Sequence, residues 1–210
     1  MEVEEYVHRL IAGDDEACLE EGRRMARDVD GLRGLYVDVI QRSQYLIGDL
    51  WERGELSVAA EHLATATNSF VAAACYAPLA ARSAGGPKAV VTCAPGELHE
   101  LGPRLLSDIL ECDGWDVDFY GASLPADELI AVIRERRPRF VGISAALERS
   151  LDEVARTIAA VRDALGEEAP PIMVGGNAFR GDPGQWRRVG ADLFAADATS
   201  AVEELRVLKT

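Results

Sequence analysis

From Val3 to about Arg82, apolar residues recur every three or four positions, the spacing of one helical face, with no strong strand signal. Gly13-Asp14-Asp15 separates a first helix from a second, Asp30-Gly31 precedes a third, and Arg53-Gly54-Glu55-Leu56-Ser57 separates that from a fourth. Ser57 suits an N-cap, where its hydroxyl takes an unpaired first-turn N–H, and the Ala-, Leu- and Val-rich stretch from Val58 to Ala81 suits a buried helix. Helices joined by short turns predict a four-helix bundle over residues 1–84.

Ser83-Ala84-Gly85-Gly86-Pro87 breaks the pattern and reads as a linker, after which the period changes. Short apolar runs at Lys88 to Cys93, Trp115 to Tyr120, Phe140 to Ser144, Ile172 to Val174 and Leu193 to Ala195 are strand candidates. Between them lie helical stretches at Pro103 to Glu111, Ala126 to Arg136, Leu151 to Leu165 and Gln185 to Val189, with a last helix from about Ala198 to Leu208. This alternation predicts an α/β class protein whose residues 85–210 form a Rossmann-like, flavodoxin-like parallel five-stranded sheet. In such sheets, ligands sit at the carboxyl ends of the strands, near the switch in strand order.

The 210 residues are 48% hydrophobic, enough to bury cores. A formal charge of -14 makes the chain a poor partner for a phosphate backbone, so no direct nucleic-acid binding is expected. No apolar run approaches the length of a bilayer span, and Met1-Glu2-Val3-Glu4-Glu5 lacks the basic start of a secretory signal; the expected location is the cytoplasm, with no membrane partner. Cys18, Cys75, Cys93 and Cys112 are scattered without metal-ligand spacing and read as buried free thiols.

Glu97-Leu98-His99-Glu100-Leu101-Gly102 follows the apolar run Ala89 to Ala94. A histidine on a loop after a strand can offer one ring nitrogen to a metal while a nearby carboxylate accepts the N–H of the other and fixes the tautomer. Taken singly, such a His is more often a surface residue, a Gly pair a turn and a Ser at a strand end a cap. Here Glu97-x-His99-x-x-Gly102, then Ser144, then Gly175-Gly176 stand in order at the ends of three strand candidates.

Together these motifs resemble the cobalamin-binding family, whose pattern is Asp-x-His-x-x-Gly, Ser-x-Leu or Ser-x-Thr, and Gly-Gly. The resemblance covers residues from about 88 to 207, and the helices before them are similar to the bundle that caps the cofactor in several cobalamin proteins. It implies that His99 replaces the cofactor's own base as lower ligand of cobalt and that the displaced nucleotide tail enters a slot in the sheet domain. Glu97, Leu98, Gly102, Ser144, Gly175 and Gly176 would line that site. Glu97 stands where the family more often has Asp, and Ser144 is followed by Ala145-Ala146 where the family often has Leu or Thr at the second position. Tyr120-Gly121-Ala122-Ser123-Leu124 and Gly190-Ala191-Asp192 also resemble the family at those places, although turns and N-caps explain them equally.

In the helical half, Trp51 followed by Glu61-His62 looks like the cap signature of cobalamin-dependent light-sensing regulators. The resemblance implies that Trp51 packs against the upper axial group and that Glu61 hydrogen-bonds an adenosyl ribose. Those photoreceptors place a histidine directly after the Trp, where this chain has Glu52, and they carry a basic helix-turn-helix domain, whereas this sequence begins acidic. The expected function is a sensor that holds adenosylcobalamin or methylcobalamin and acts on transcription through a partner regulator, with self-association as one output. The alternative is a corrinoid protein that carries a methyl group between methyltransferases. An isolated mutase subunit ranks low, because a radical enzyme needs a substrate barrel that this chain is too short to contain.

Overall fold

Asp14 ends the first turn of the chain and starts the next helix, because its side chain accepts the N–H of Ala17 at 3.2 Å. In the computed structural model, which describes residues 1–77, 85–182 and 184–208, the chain forms two compact units, Met1–Ala80 and Ala81–Thr210. The linker residues Ser83 and Ala84 and the end of the helix expected to reach Ala81 lie outside the described residues.

The first unit contains α1 (Val3–Ala12), α2 (Asp15–Met25), a continuous rod made of α3 (Val29–Gly34), a π-helical segment (Leu35–Gln41) and α4 (Arg42–Glu52), and then α5 (Val58–Tyr76). Four rods therefore match the helical pattern, and Ser57 caps α5 by accepting the N–H of Ala60 at 3.2 Å. The third rod begins earlier than the Asp30-Gly31 pair suggests, because Asp28 is the cap, its carboxylate accepting the N–H of Gly31 at 2.8 Å. Gly31 is needed there for space: a Cβ would lie 2.1 Å from the Met25 carbonyl oxygen. Tyr6, Leu10, Leu32, Ile40, Ile47 and Val71 make the core of this unit.

In the second unit, β1 (Lys88–Cys93), β2 (Asp116–Gly121), β3 (Phe140–Ser144), β4 (Ile172–Gly175) and β5 (Leu193–Ala195) form one parallel sheet in the order β2-β1-β3-β4-β5. The helices between them are α6 (Leu101–Cys112), α7 (Ala126–Arg136), α8 (Leu151–Leu165) and α9 (Gln185–Arg188), followed by α10 (Ala198–Leu205). Central strands buried on both faces read as continuous apolar runs, as Ala89-Val90-Val91 does in β1. On one face Val90, Val141, Ile143 and Val174 pack with Leu129 of α7 and Val154 and Ile158 of α8. Trp115 precedes β2 instead of starting it, buried with its ring edge-on to Phe140 at 5.1 Å.

Because the chain leaves β1 for β2 on one side and returns for β3 on the other, the strand order switches beside the carboxyl ends of β1 and β3. β2 carries a bulge at this end: Val91 pairs with Phe119 and Thr92 with Gly121, so Tyr120 is left over and exposed. No helix among the described residues is long and apolar enough to cross a membrane.

Candidate functional site

Glu97 lies on the loop from β1 to α6, yet only 1% of it is exposed. A buried carboxylate must be fully hydrogen-bonded to remain charged, and this one is. Its Oε1 accepts the backbone N–H groups of Leu98 (3.0 Å) and His99 (3.1 Å) and lies 2.5 Å from His99 Nδ1. Oε2 reaches the loop after β3, accepting the N–H groups of Ala146 (3.0 Å) and Leu147 (3.3 Å) and the Ser150 hydroxyl (3.1 Å). Burial opposes ionisation, but the bonds from His99 and the backbone outweigh it and hold the carboxyl at about 2, below its usual 4.5.

This arrangement decides what His99 can do. With Glu97 accepting from Nδ1, the neutral ring carries its proton there and keeps an unshared pair on Nε2. The side chain is 56% exposed, so that nitrogen is open to a ligand. Ser150, Glu97 and His99 thus form a hydrogen-bonded line from a buried hydroxyl to an exposed imidazole. Beneath the loop, the Cys93 thiol donates to the His99 carbonyl at 3.6 Å. Burial, with Glu97 and Glu100 nearby, pushes that thiol up to about 12, so it stays protonated and offers no competing thiolate.

The neighbouring loops are tied to this one. Glu100 Oε2 accepts the N–H of Ala122 at 3.1 Å, and Ser123 Oγ accepts the N–H of Gly96 at 3.0 Å, which places the Tyr120 to Leu124 segment beside the histidine loop. Leu98 is 74% exposed, and a Cβ on Gly102 would meet nothing within 4 Å, so both positions leave room for a large ligand. Ser144, half-buried at the end of β3, pairs in register with Cys93 and Gly175, which brings the three motifs to adjacent strand ends.

The glycine pair answers first to protein backbone. A Cβ on Gly175 would lie 2.9 Å from the Ala195 carbonyl oxygen; on Gly176, whose φ is +103°, it would lie 2.3 Å from that of Ala145. Gly176→Ala is therefore expected to cost at least about 2 kcal/mol, through strain and displacement of Ala145. Denaturant unfolding measures it, and an unchanged midpoint would contradict this account. Asp192 likewise has a structural role, accepting the first N–H of β4 from Ile172 at 2.7 Å.

The helical unit is described by itself. Trp51, at the end of α4, is 44% exposed, and Glu61, in the first turn of α5, is 24% exposed, with Oε2 3.4 Å from Nε2 of the exposed His62. Sequence reasoning missed Ser150, which lies in a polar turn beyond Ser144 and whose role appears only when Glu97 is seen to cross between loops.

Among the described residues no group of three or more His, Cys, Asp or Glu could hold a metal ion. A single open imidazole with a fixed tautomer suits a metal that arrives inside its own ring of equatorial donors. The site is thus one exposed imidazole with a fixed tautomer, placed at the switch in strand order of a parallel α/β sheet.

Residues 87–206 match the B12 binding domain family, and residues 2–76 match a second family described as a B12 binding domain. The chain belongs to the B12 binding domain family, and it binds cobalamin. It is 32% identical over 152 residues to the HTH-type transcriptional repressor CarH of Myxococcus xanthus, covering 72% of this chain and 50% of that protein. It is 27% identical over 167 residues to the dimethylamine corrinoid protein of Methanosarcina barkeri, covering 77% and 76%. The fold matches that of the Methanosarcina barkeri monomethylamine corrinoid protein with a TM-score of 0.81 at 15% identity, over 97% of this chain and 96% of that one. The chain spans about half the length of the first curated relatives it matches.

Proposed function

We propose that the protein is a cobalamin-binding sensor that holds adenosylcobalamin or methylcobalamin with His99 as the lower axial ligand of cobalt and passes its state to a protein partner. The observation that carries the lower half of this reading is the Ser150–Glu97–His99 line, which fixes an exposed Nε2 for coordination. When bound, cobalamin supplies an alkyl–cobalt bond that light can open. Glu97 holds the Nδ1 proton, the Ser150 hydroxyl and four backbone N–H groups hold Glu97, and Gly102 and Leu98 leave space at the loop. Ser144, Gly175 and Gly176, side by side at adjacent strand ends, would flank the nucleotide tail. In the helical unit, Trp51, Glu61 and His62 would be the residues offered to the cofactor, Trp51 by packing and Glu61 by accepting from hydroxyls. Glu52, next to Trp51, would offer a carboxylate, a harder donor than an imidazole and a poorer ligand for cobalt.

The similarity to a transcriptional repressor supports a regulatory role, here exerted through another protein or through self-association. The second reading, a methyl carrier that works with methyltransferases, is favoured by the alignment with a corrinoid protein over 76% of that protein's length. Loading with adenosylcobalamin in the dark, removing free cofactor, and recording absorption and elution volume before and after green light separates the two. A light-dependent change in both supports the sensor. An unchanged elution volume, with a methyl donor altering the spectrum only when a methyltransferase is added, overturns it in favour of the carrier.

A further inference from the structure

The helical unit contains a line of polar side chains that ends on Glu61. Asn68 of α5 is fully buried, and the Tyr6 hydroxyl donates to its Oδ1 at 3.0 Å. That bond fixes the carboxamide, so Asn68 Nδ2 donates to Gln44 Oε1 at 2.9 Å and to Ser43 Oγ at 3.1 Å. With its oxygen taken, Gln44 turns Nε2 to Thr65 Oγ1, 2.7 Å away. The Thr65 hydroxyl has one hydrogen and gives it to Glu61 Oε1 at 2.9 Å.

Every bond in this line donates in the same direction, toward the carboxylate, and each polarises the next. Three helices, α1, α4 and α5, contribute to it. A bundle core needs no such line for stability, since apolar side chains of similar volume fill a core as well. Its specific effect is on Glu61. A carboxylate on a free side chain rotates, and ordering it on a ligand costs conformational freedom. Here Oε1 is already held, which leaves Oε2 as the acceptor for an incoming donor; its neighbour His62 is exposed and can give way.

We propose that Thr65, Gln44 and Asn68 are positioning residues that hold Glu61 ready for a hydroxyl-bearing upper axial group and so favour adenosylcobalamin over methylcobalamin. This rests on the reading above in which Glu61 faces the upper side of the cofactor.

Dark equilibrium affinities for the two cofactors, measured on the full chain for the parent, Glu61→Gln, Thr65→Val and Thr65→Ser, test it, with thermal unfolding of each unloaded protein alongside. Because the Thr65–Glu61 bond is present with and without cofactor, what Thr65→Val loses is the prior ordering of Glu61, which predicts that it binds adenosylcobalamin about three- to tenfold more weakly while methylcobalamin changes by less than about twofold. Thr65→Ser, which keeps the hydroxyl, retains the parent preference. Equal weakening for both cofactors in Thr65→Val overturns the proposal, as does an unchanged preference in that variant when Glu61→Gln alters it; in either case the upper-face reading of Glu61 survives. An unchanged preference in Glu61→Gln overturns that reading and the proposal with it.

Discussion

Glu97→Ala lowers the stability of the sheet unit by about 3 kcal/mol or more at neutral pH, because it strands buried donors on two loops at once. The N–H groups of Leu98, His99, Ala146 and Leu147 and the hydroxyl of Ser150 all lose their acceptor. The carboxyl titrates at about 2 in the folded protein against an ordinary 4.5, so its charge stabilises the fold by about 3 kcal/mol. That contribution is fully present above the unfolded value and is lost as pH falls through the folded one. Denaturant unfolding of the parent and of Glu97→Gln should show a gap that is constant above about pH 5 and closes between 4.5 and about 2. A gap that stays flat down to about pH 2.5 would rule out this origin.

His99→Ala produces the opposite pattern, with the fold intact and the cofactor site impaired. The side chain is more than half exposed, and among the described residues its ring is held by Glu97, so its removal costs under about 1 kcal/mol of stability. Cobalamin binding weakens by more than the roughly 10–100-fold that follows loss of a metal ligand's supporting partner. Equilibrium binding gives the loss, and the absorption spectrum of any retained corrinoid reports the lower coordination. Unchanged affinity and spectrum in the variant would remove His99 from the cobalt.

Much of the scaffold was legible because parallel strands buried on both faces must be continuously apolar, as Phe140 to Ile143 and Ile172 to Val174 are. Trp115 misled by one residue, since a large buried ring looks the same whether it belongs to a strand or packs against its start. The order of Glu97, His99, Ser144 and Gly175-Gly176 along the chain pointed to one end of the sheet, and the register puts those strand ends side by side. What the chain hid were pairings between distant polar residues. Glu97 with Ser150 and Thr65 with Gln44 depend on which loops and helices meet, and residue spacing along one element carries no record of that. Glu in place of Asp was the available clue, because the extra methylene must reach something.

The π-helical turn from Leu35 to Gln41 sets the phase of everything that follows in the same rod. Each residue taken up by such a slip rotates the downstream helix by about 100° relative to an unbroken α-helix of the same sequence. Gln44 meets Thr65 across the bundle only at the present phase, and Trp51 leaves the rod in a direction fixed by the same offset. The aim of both side chains is therefore set by a change of winding upstream of either: the same sequence wound as an unbroken α-helix would redirect them, whereas deleting one residue within Leu35–Gln41 lets that segment return to α-winding with Gln44 and Trp51 in their present phase.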